Sequence, residues 1–248
     1  RHCQQLMVAG ASMRDIGSES TRPGALPRPL QDELARVLPV LRAAVTMGVP
    51  VSVDTYKPQL MQAALDLGAD IINDIWALRC VVPDQSASAA QVIAAHPSCG
   101  VCLMHMHLEP RTMQIAPMQG DVVPQVLSFL EREAKNIQGL GVDKSRIMLD
   151  PGIGFGKTVA QNFSLLARQA ELLPAGYPLL VGWSRKSSLS GMSVGADQGN
   201  ALSVQQRLAP SLAAALLAAE RGAAVLRVHD VKETVQALKV LQAIRLAA

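Results

Sequence analysis

The sequence predicts an α/β fold, a (β/α)₈ TIM barrel with its first strand missing from this chain. Three observations support this fold class. Short apolar runs alternate with stretches of helical spacing, most runs end in polar residues, and 248 residues suffice for one barrel domain. In a barrel, the carboxyl ends of all strands meet at one face. A doubly wound sheet would instead gather its polar residues at one switch point.

Seven apolar runs are expected to form the strands, and they start at Met13, Val49, Ala69, Gly100, Arg146, Pro178 and Ala223. Their near-continuous apolar character is typical of parallel strands that are covered on both faces. Apolar residues between the runs recur at helical spacing, as in Leu34, Val37, Leu38, Leu41 and Val45. A barrel needs one strand more. Residues 1–9 are therefore expected to form a helix that follows the missing strand.

Three polar residues at predicted strand ends suit a flat, nitrogen-rich ring. Asp54, Asn73 and Asp150 each close an apolar run, as do Asp15 and His105. Carboxylates accept hydrogen bonds from ring N–H groups, and an amide both donates and accepts. The alternative is that the aspartates only cap the loops that follow, but three such groups at three strand ends favour a site.

Positive charge collects at the same predicted edge. Lys186, Arg227 and His229 follow the last two runs, and Arg22 lies on a loop rich in Gly and Pro. Such groups pair with phosphates or carboxylates, whereas the alternative is a set of solvated salt bridges. Because side chains alternate along a strand, Arg227 and His229 of "RVHD" are expected to share one strand face and to bind an oxyanion.

The stretch "DPGIGFGKT", residues 150–158, ends like a phosphate-binding loop but has the wrong spacing. Such a loop needs Gly six positions before its Lys, and Pro151 occupies that position. The evenly spaced glycines also miss the dinucleotide-binding pattern. The stretch is therefore interpreted as a buried strand end followed by a sharp turn, and Lys157 need not touch a phosphate.

Two further patterns give weaker hypotheses. "CGVCLMHMH", residues 99–107, spaces Cys and His like a metal site, but on a strand Cys102 would point away from the other three. Core cysteines are therefore expected. Lys186 could form a Schiff base, but it follows Arg185 in a polar, serine-rich turn, which leaves this a minor alternative.

Composition excludes several classes of protein. The net charge of +3 comes from scattered Lys and Arg without a basic run, which argues against nucleic-acid binding. The longest apolar stretch, residues 212–219, is too short to span a membrane, and no secretory signal precedes the first helix. Four cysteines in mostly apolar surroundings favour reduced thiols and a cytoplasmic location.

Seven motifs occur in order along the chain: "DIGSESTRPGA", "VSVDT", "INDI", "LMHM", "LDPGIGFGKT", "VGWSRKS" and "RVHDV". Together they resemble the dihydropteroate synthase family of bacterial folate synthesis over essentially the whole chain. "STRPGA" and "SRK" are the most diagnostic. The resemblance implies one pterin-binding barrel domain over residues 1–248. Its reaction would join 6-hydroxymethyl-7,8-dihydropterin pyrophosphate to p-aminobenzoate and release pyrophosphate.

The resemblance also implies roles for individual residues. Four polar side chains would contact the pterin: Asp54, Asn73, Asp150 and Lys186. Three residues would line the same pocket: Met104, Phe155 and Gly182. Pyrophosphate would bind to Arg227 and His229 with Ser184 nearby, and p-aminobenzoate to a loop of Thr21, Arg22 and Pro23. Four of these residues are expected to carry catalysis: Asp54, Lys186, Arg227 and His229.

The mechanism that the resemblance implies is a largely dissociative C–O cleavage. The pterin would stabilise an exocyclic carbocation while Arg227, His229 and Mg²⁺ hold the departing pyrophosphate. The aromatic amine would then attack, so no protein nucleophile is needed. The family further implies a homodimer and inhibition by sulfonamides. No metal ligand is expected in this chain, because the family's metal-binding Asn lies on the missing strand.

The chain departs from the family pattern at three further residues, and two alternatives stay open. His107-Leu108 replaces the usual Gln-Gly, and Arg14 stands where a strand is normally apolar. One alternative is a pterin-binding barrel of the methyltransferase type, which would not be expected to carry "STRPG" or "SRK". The other is a catalytically inactive pterin-binding homologue, against which the complete set of polar site residues argues.

Overall fold

The structure, a computed structural model, describes residues 2–19, 26–80, 87–190 and 201–247. Within them, each strand pairs in parallel with the next along the chain, in one seven-stranded sheet. The strands are β1 (Arg14–Ile16), β2 (Val51–Asp54), β3 (Ile71–Asp74), β4 (Gly100–Met104), β5 (Ile147–Asp150), β6 (Leu179–Val181) and β7 (Ala223–Leu226). Sequential order without a reversal is that of a barrel and not of a doubly wound sheet, so the predicted fold class is confirmed.

Helices alternate with these strands, as the apolar spacing predicted. In the described residues they are α1 (His2–Val8), α2 (Leu30–Ala44), α3 (Pro58–Asp66), α4 (Ala89–Ala95), α5 (Val122–Gln138), α6 (Val159–Ala167), α7 (Leu208–Glu220) and α8 (Val231–Ala247). Side-chain caps fix where some of them begin. Thr158 accepts a hydrogen bond from the backbone N–H of Gln161, and Asp121 accepts one from that of Val123.

The apolar runs pack on both faces of the sheet because side chains alternate along each strand. Leu103 and Leu149 belong to the main core with the helices, whereas Cys102, Met148, Leu180 and Val225 form a separate cluster on the opposite face. Covered faces on both sides explain why the runs are near-continuously apolar.

Trp183 lies in the hydrophobic core just after the end of β6. Its side chain is buried, and its ring stacks on Phe163 with the ring centroids 5.4 Å apart. The indole N–H has no hydrogen-bond partner among the described residues. The contact joins the segment after β6 to α6.

The last two strands end earlier than the sequence predicted. The backbone N–H of Arg227 still donates to the Val181 carbonyl oxygen at 3.0 Å, but the chain then turns, and the N–H of Lys186 bonds to the Trp183 carbonyl oxygen at 3.1 Å. Without a neighbouring strand, Arg227 and His229 lie in a loop. The expectation that they share a strand face is therefore wrong, and Lys186 likewise lies in the turn after β6.

Arg14 has a structural role that the sequence did not explain. Its side chain is buried, and its Nη2 donates to the carbonyl oxygens of Ala44 at 3.0 Å and Val49 at 3.1 Å. Its Nη1 lies 2.8 Å from Met47 Sδ. A cation at this place satisfies a carbonyl at the negative end of the α2 dipole. It thereby fastens β1 to the connection between α2 and β2.

No helix of the described residues combines the length and the apolar character that crossing a membrane requires. The cysteines at positions 3, 80, 99 and 102 are free thiols, and Cys99 and Cys102 are buried. The prediction of core cysteines is confirmed for these two. Burial raises the pKa of Cys102 well above its ordinary value, which keeps this thiol protonated.

Candidate active site

The carboxyl ends of the strands line part of a cavity of about 760 Å³, which also extends along β7 to side chains of α1 and α8. Nine residues to which the resemblance gives a role in the site line it: Asn73, Met104, Asp150, Phe155, Gly182, Ser184, Lys186, Arg227 and His229. Asp54 is not among the lining residues and lies one hydrogen bond behind Arg227. Thr21, Arg22 and Pro23 lie outside the described residues. The structure thus brings the described candidates together, while their binding roles stay predictions.

Asn73 and Asp150 form a polar edge of the cavity. Both side chains are buried, and Asp150 Oδ1 accepts a hydrogen bond from the N–H of Gly152 at 2.7 Å. Burial raises the pKa of Asp150, although the Gly152 N–H and the positive charge of Lys186 favour its ionised form. Buried acceptors of this kind suit a ligand that donates N–H groups.

Apolar side chains form the wall beside this edge. Met104 and Phe155 belong to a buried cluster with Ile75, Met106 and Met113. The Nζ of Lys186 lies 4.5 Å from the centroid of the Phe155 ring, which is a cation–π contact. A flat ring can therefore lie against apolar side chains and be hydrogen-bonded along its edge.

Arg227 is held between two carboxylates. Its Nε lies 2.6 Å from Asp15 Oδ2, and its Nη2 lies 2.7 Å from Asp54 Oδ2. Burial alone would lower the pKa of Arg227, but Asp15, Asp54 and Asp150 raise it, so the guanidinium stays charged. Burial also raises the pKa of Asp54 to about 6, an effect that Arg227 opposes and Asp15 increases.

His229 and Lys186 are positioned by contacts between the loops after β6 and β7. Ser184 Oγ accepts a hydrogen bond from the backbone N–H of His229 at 3.1 Å and lies 2.9 Å from His229 Nδ1. Arg185 forms a salt bridge with Asp230, with Nη2 2.5 Å from Oδ1. These contacts tie together the two loops that carry the positive groups of the cavity.

The turn at residues 150–158 is fixed by a buried lysine. The Nζ of Lys157 lies 2.9 Å from the Gly152 carbonyl oxygen, 3.2 Å from that of Phe155 and 2.9 Å from His105 Nδ1. Three acceptors match the three N–H donors of an ammonium group. Lys157 does not line the cavity, in agreement with the interpretation that it need not touch a phosphate.

A second lysine network holds both flanks of the predicted aminobenzoate loop. Lys57 Nζ lies 2.7 Å from Glu19 Oε2 and 2.5 Å from Glu33 Oε2, and it also donates to the Arg28 carbonyl oxygen. Glu19 accepts further hydrogen bonds from the Tyr56 hydroxyl at 2.8 Å and from the Arg28 N–H at 3.1 Å. The described residues before and after positions 20–25 therefore share one ion-pair network.

The described residues contain no group of three or more His, Cys, Asp or Glu side chains that could hold a metal ion. The Cys/His pattern at residues 99–107 gives a buried thiol at Cys99 and a His105 bonded to Lys157 instead. Burial and the Lys157 charge lower the pKa of His105 to about 2, which keeps it neutral. Thiol and imidazole groups at residues 99–107 do not fit a magnesium site, because magnesium prefers oxygen ligands.

Buried acceptors beside an apolar wall suit a flat heterocycle, and the adjacent cations suit an anionic group attached to it. Residues 1–229 match the protein family described as "Pterin binding enzyme". The fold and the site together define a pterin-binding enzyme.

Comparison with similar proteins shows which family of pterin-binding enzymes the chain belongs to. Dihydropteroate synthase of Escherichia coli (strain K12) is 44% identical over 246 residues, which cover 98% of this chain and 82% of that protein. The solved structure of the Yersinia pestis dihydropteroate synthase with a sulfonamide drug is 40% identical, with a TM-score of 0.89 over 98% of this chain and 84% of that one. The Burkholderia cenocepacia dihydropteroate synthase complexed with 7,8-dihydropteroate is 46% identical, with a TM-score of 0.87 over 100% of this chain and 86% of that one. The chain belongs to the dihydropteroate synthase family.

Proposed function

We propose that this chain condenses 6-hydroxymethyl-7,8-dihydropterin pyrophosphate with p-aminobenzoate to give 7,8-dihydropteroate and pyrophosphate. The observation that carries the proposal is one cavity with buried acceptors along one edge and Lys186, Arg227 and His229 beside them. The Burkholderia cenocepacia relative supports it, because that structure contains 7,8-dihydropteroate, the product proposed here.

The pterin binds through its N–H edge to Asn73 and Asp150, with Asp54 as a further acceptor. Its ring lies against Met104 and Phe155, which form the apolar wall. Water is thereby excluded from the ring, which strengthens each hydrogen bond along its edge. This arrangement fixes the exocyclic carbon and its diphosphate relative to the positive side chains.

The reaction begins when the bond between the exocyclic carbon and the diphosphate oxygen breaks. Both bonding electrons leave with pyrophosphate, whose growing negative charge Arg227, His229 and Lys186 stabilise. The nitrogen lone pair of p-aminobenzoate then forms the new C–N bond, and that nitrogen releases a proton. Positioning and charge stabilisation suffice, so the Schiff-base alternative for Lys186 is not needed.

Three expectations that the resemblance supplied are also part of the proposal. Magnesium would enter with the diphosphate, whose oxygens are its natural ligands, rather than at a site prepared by the described residues. A homodimer is supported by exposed aliphatic side chains on α7 and α8, among them Leu217, Val240 and Ile244, and light scattering would measure its mass. Free thiols support a cytoplasmic location.

The test is pyrophosphate release by the chain supplied with dihydropterin pyrophosphate and Mg²⁺, before and after p-aminobenzoate is added. We expect release to require the aminobenzoate and 7,8-dihydropteroate to form in equal amount. No release while pterin still binds would favour the catalytically inactive homologue. Methyl transfer from a methylated pterin in place of release would favour the methyltransferase-type barrel.

A sulfonamide provides a second arm of the same assay, since the Yersinia pestis relative was solved with such a drug. We expect inhibition that p-aminobenzoate relieves, because both molecules would occupy one site. Inhibition that stays the same at saturating p-aminobenzoate would contradict a shared site.

A further inference from the structure

Asp15 is a neighbour of Arg227 to which the family resemblance assigns no role. Its Oδ2 is 2.6 Å from Arg227 Nε and accepts a hydrogen bond from Asn73 Nδ2 at 3.3 Å. Its other oxygen, Oδ1, is buried and has no hydrogen-bond partner in the described residues. Burying an unsatisfied carboxylate oxygen is unfavourable, so the contact with Arg227 must offset that loss.

Arg227 meets its two carboxylates through different nitrogen atoms. Nε faces Asp15, and Nη2 faces Asp54. A guanidinium has five N–H donors, so further donors remain beyond these two contacts. The Arg227 side chain is 48% exposed, and Arg227 is among the residues that line the cavity. An anion can therefore reach Arg227 while Asp15 keeps its contact with Nε.

Asp54 has two competing partners under the proposed function, on which this inference rests. In the structure its Oδ2 accepts from Arg227, and Asp54 does not line the cavity. A pterin that donates an N–H group to this oxygen competes with Nη2 of Arg227 for it and weakens that contact. The released edge of the guanidinium can then meet the diphosphate of the same substrate molecule.

We propose that Asp15 is a positioning residue, which holds Arg227 by Nε while Arg227 exchanges Asp54 for the diphosphate of the substrate. Occupancy of the pterin pocket then strengthens pyrophosphate binding. The reason is that a guanidinium paired with one carboxylate attracts an anion more strongly than one paired with two. If Asp15 had only a structural role, its replacement would lower the stability of the fold but leave the coupling between the two ligands unchanged.

Inorganic pyrophosphate and 6-hydroxymethylpterin, which lacks the diphosphate, separate the two halves of the substrate. Titration calorimetry gives the dissociation constant of pyrophosphate with and without saturating 6-hydroxymethylpterin. In the unaltered chain we expect the pterin to tighten pyrophosphate binding about 5- to 150-fold, the usual range for coupled sites. We call the ratio of the pyrophosphate dissociation constants without and with the pterin the coupling ratio. In Asp15→Asn we expect the coupling ratio to fall below about 2-fold.

The matched control is Asp66→Asn, which changes an exposed carboxylate that accepts from Gln62 on the same helix, and it should keep the full ratio. Arg227→Lys keeps the charge but cannot make the Nε and Nη2 contacts together, so it should lose the ratio too. Full coupling in the Arg227→Lys chain would overturn the exchange at Arg227, so the inference stays testable if Asp15→Asn does not fold.

Pterin binding without any enhancement in the unaltered chain would overturn the inference, as would an Asp15→Asn chain with the full ratio. An unaltered chain that does not bind the pterin would overturn the proposed function, and the inference with it.

Discussion

Asp150 is a buried carboxylate with an internal hydrogen bond, from the Gly152 N–H at 2.7 Å. Asparagine has nearly the same size, but it lacks the charge and replaces one acceptor with a donor. We expect Asp150→Asn to weaken the binding of 6-hydroxymethylpterin about 10- to 100-fold, as for the loss of a charged hydrogen bond of about 1.5–3 kcal/mol. Titration calorimetry measures this change, and thermal unfolding checks that the variant is folded.

Two results bear on the role of Asp150. Asp66→Asn removes an exposed carboxylate and should bind the pterin as the unaltered chain does. Normal pterin affinity in a folded Asp150→Asn chain would remove Asp150 from the site.

Sequence patterns located charged residues but not their partners. Arg14 bonds to a carbonyl 30 positions away, and Lys157 contacts a histidine 52 positions away. Asp15 closed an apolar run and was noted for that reason, yet its contact with Arg227 depends on how β1 lies relative to the loop after β7. Such pairs follow from the three-dimensional fold, which spacing along the chain does not specify.

The turn after β5 leaves no space for a larger residue at Gly152. A Cβ there would lie 1.8 Å from the His105 carbonyl oxygen, and Gly152 has a φ of +67°. Gly141 has a φ of +93°, but nothing lies within 4 Å of its Cβ position. Alanine at Gly141 therefore adds only backbone strain of about 1–2 kcal/mol.

We expect Gly152→Ala to lower the free energy of unfolding by about 1–3 kcal/mol more than Gly141→Ala does, because it adds a steric clash to the same kind of strain. Urea unfolding of the two variants measures the difference. Equal losses would mean that the turn moves away from β4 at no cost, and that it does not fix Asp150 rigidly.

The existence of the elements was predictable, whereas their ends were not. Helical spacing identified α2 and α3, and continuous apolar runs identified the strands, because both are local patterns. The end of β7 depends on where the neighbouring β6 turns away, which its own sequence does not show. Leu108 likewise has a φ of +58°, a region that favours glycine, although only the residue replacement could be noted from the sequence.

Three buried groups contribute opposite pH dependences to the stability of the molecule, and His105, which stays neutral in the folded chain, adds a rise with pH up to about pH 6.5. Burial raises the pKa of Asp54 to about 6 and that of Asp74 to about 7. From about pH 4 to pH 7 the folded chain therefore binds more protons at these groups than the unfolded chain, and their contribution to stability falls as the pH rises. Burial lowers the pKa of Lys157 to about 7. From about pH 7 to pH 10.5 the unfolded chain binds more protons there, and stability rises with pH.

We expect these three groups to make the smallest contribution to the free energy of unfolding near pH 7. Urea unfolding at pH values of about 5, 7 and 9 measures the free energy of unfolding of the unaltered chain and of two variants. Compared with the unaltered chain, Asp74→Asn should lower the free energy of unfolding at pH 5 relative to pH 7, and Lys157→Met should lower it at pH 9 relative to pH 7. A full rise in the Lys157→Met chain would show that another group titrates there.

The sequence was enough to predict the barrel-type sheet and the location of the site, because both follow from one regularity. Parallel strands in chain order bring their carboxyl ends to the same edge, so polar residues that close the runs must converge. The contacts within the site were not predictable. Arg227 and Asp54 are 173 positions apart, and nothing in the spacing of the sequence indicates the hydrogen bond between them.

The stack of Trp183 on Phe163 gives the chain an internal optical reporter. Trp183 is flanked by Gly182 and Ser184, both of which line the cavity, and the chain has only two tryptophans. A buried indole emits at shorter wavelength than one in water, and a pterin that absorbs in that range would take up its excitation energy. Changes in emission would then report when a pterin enters and leaves, without a label and without turnover.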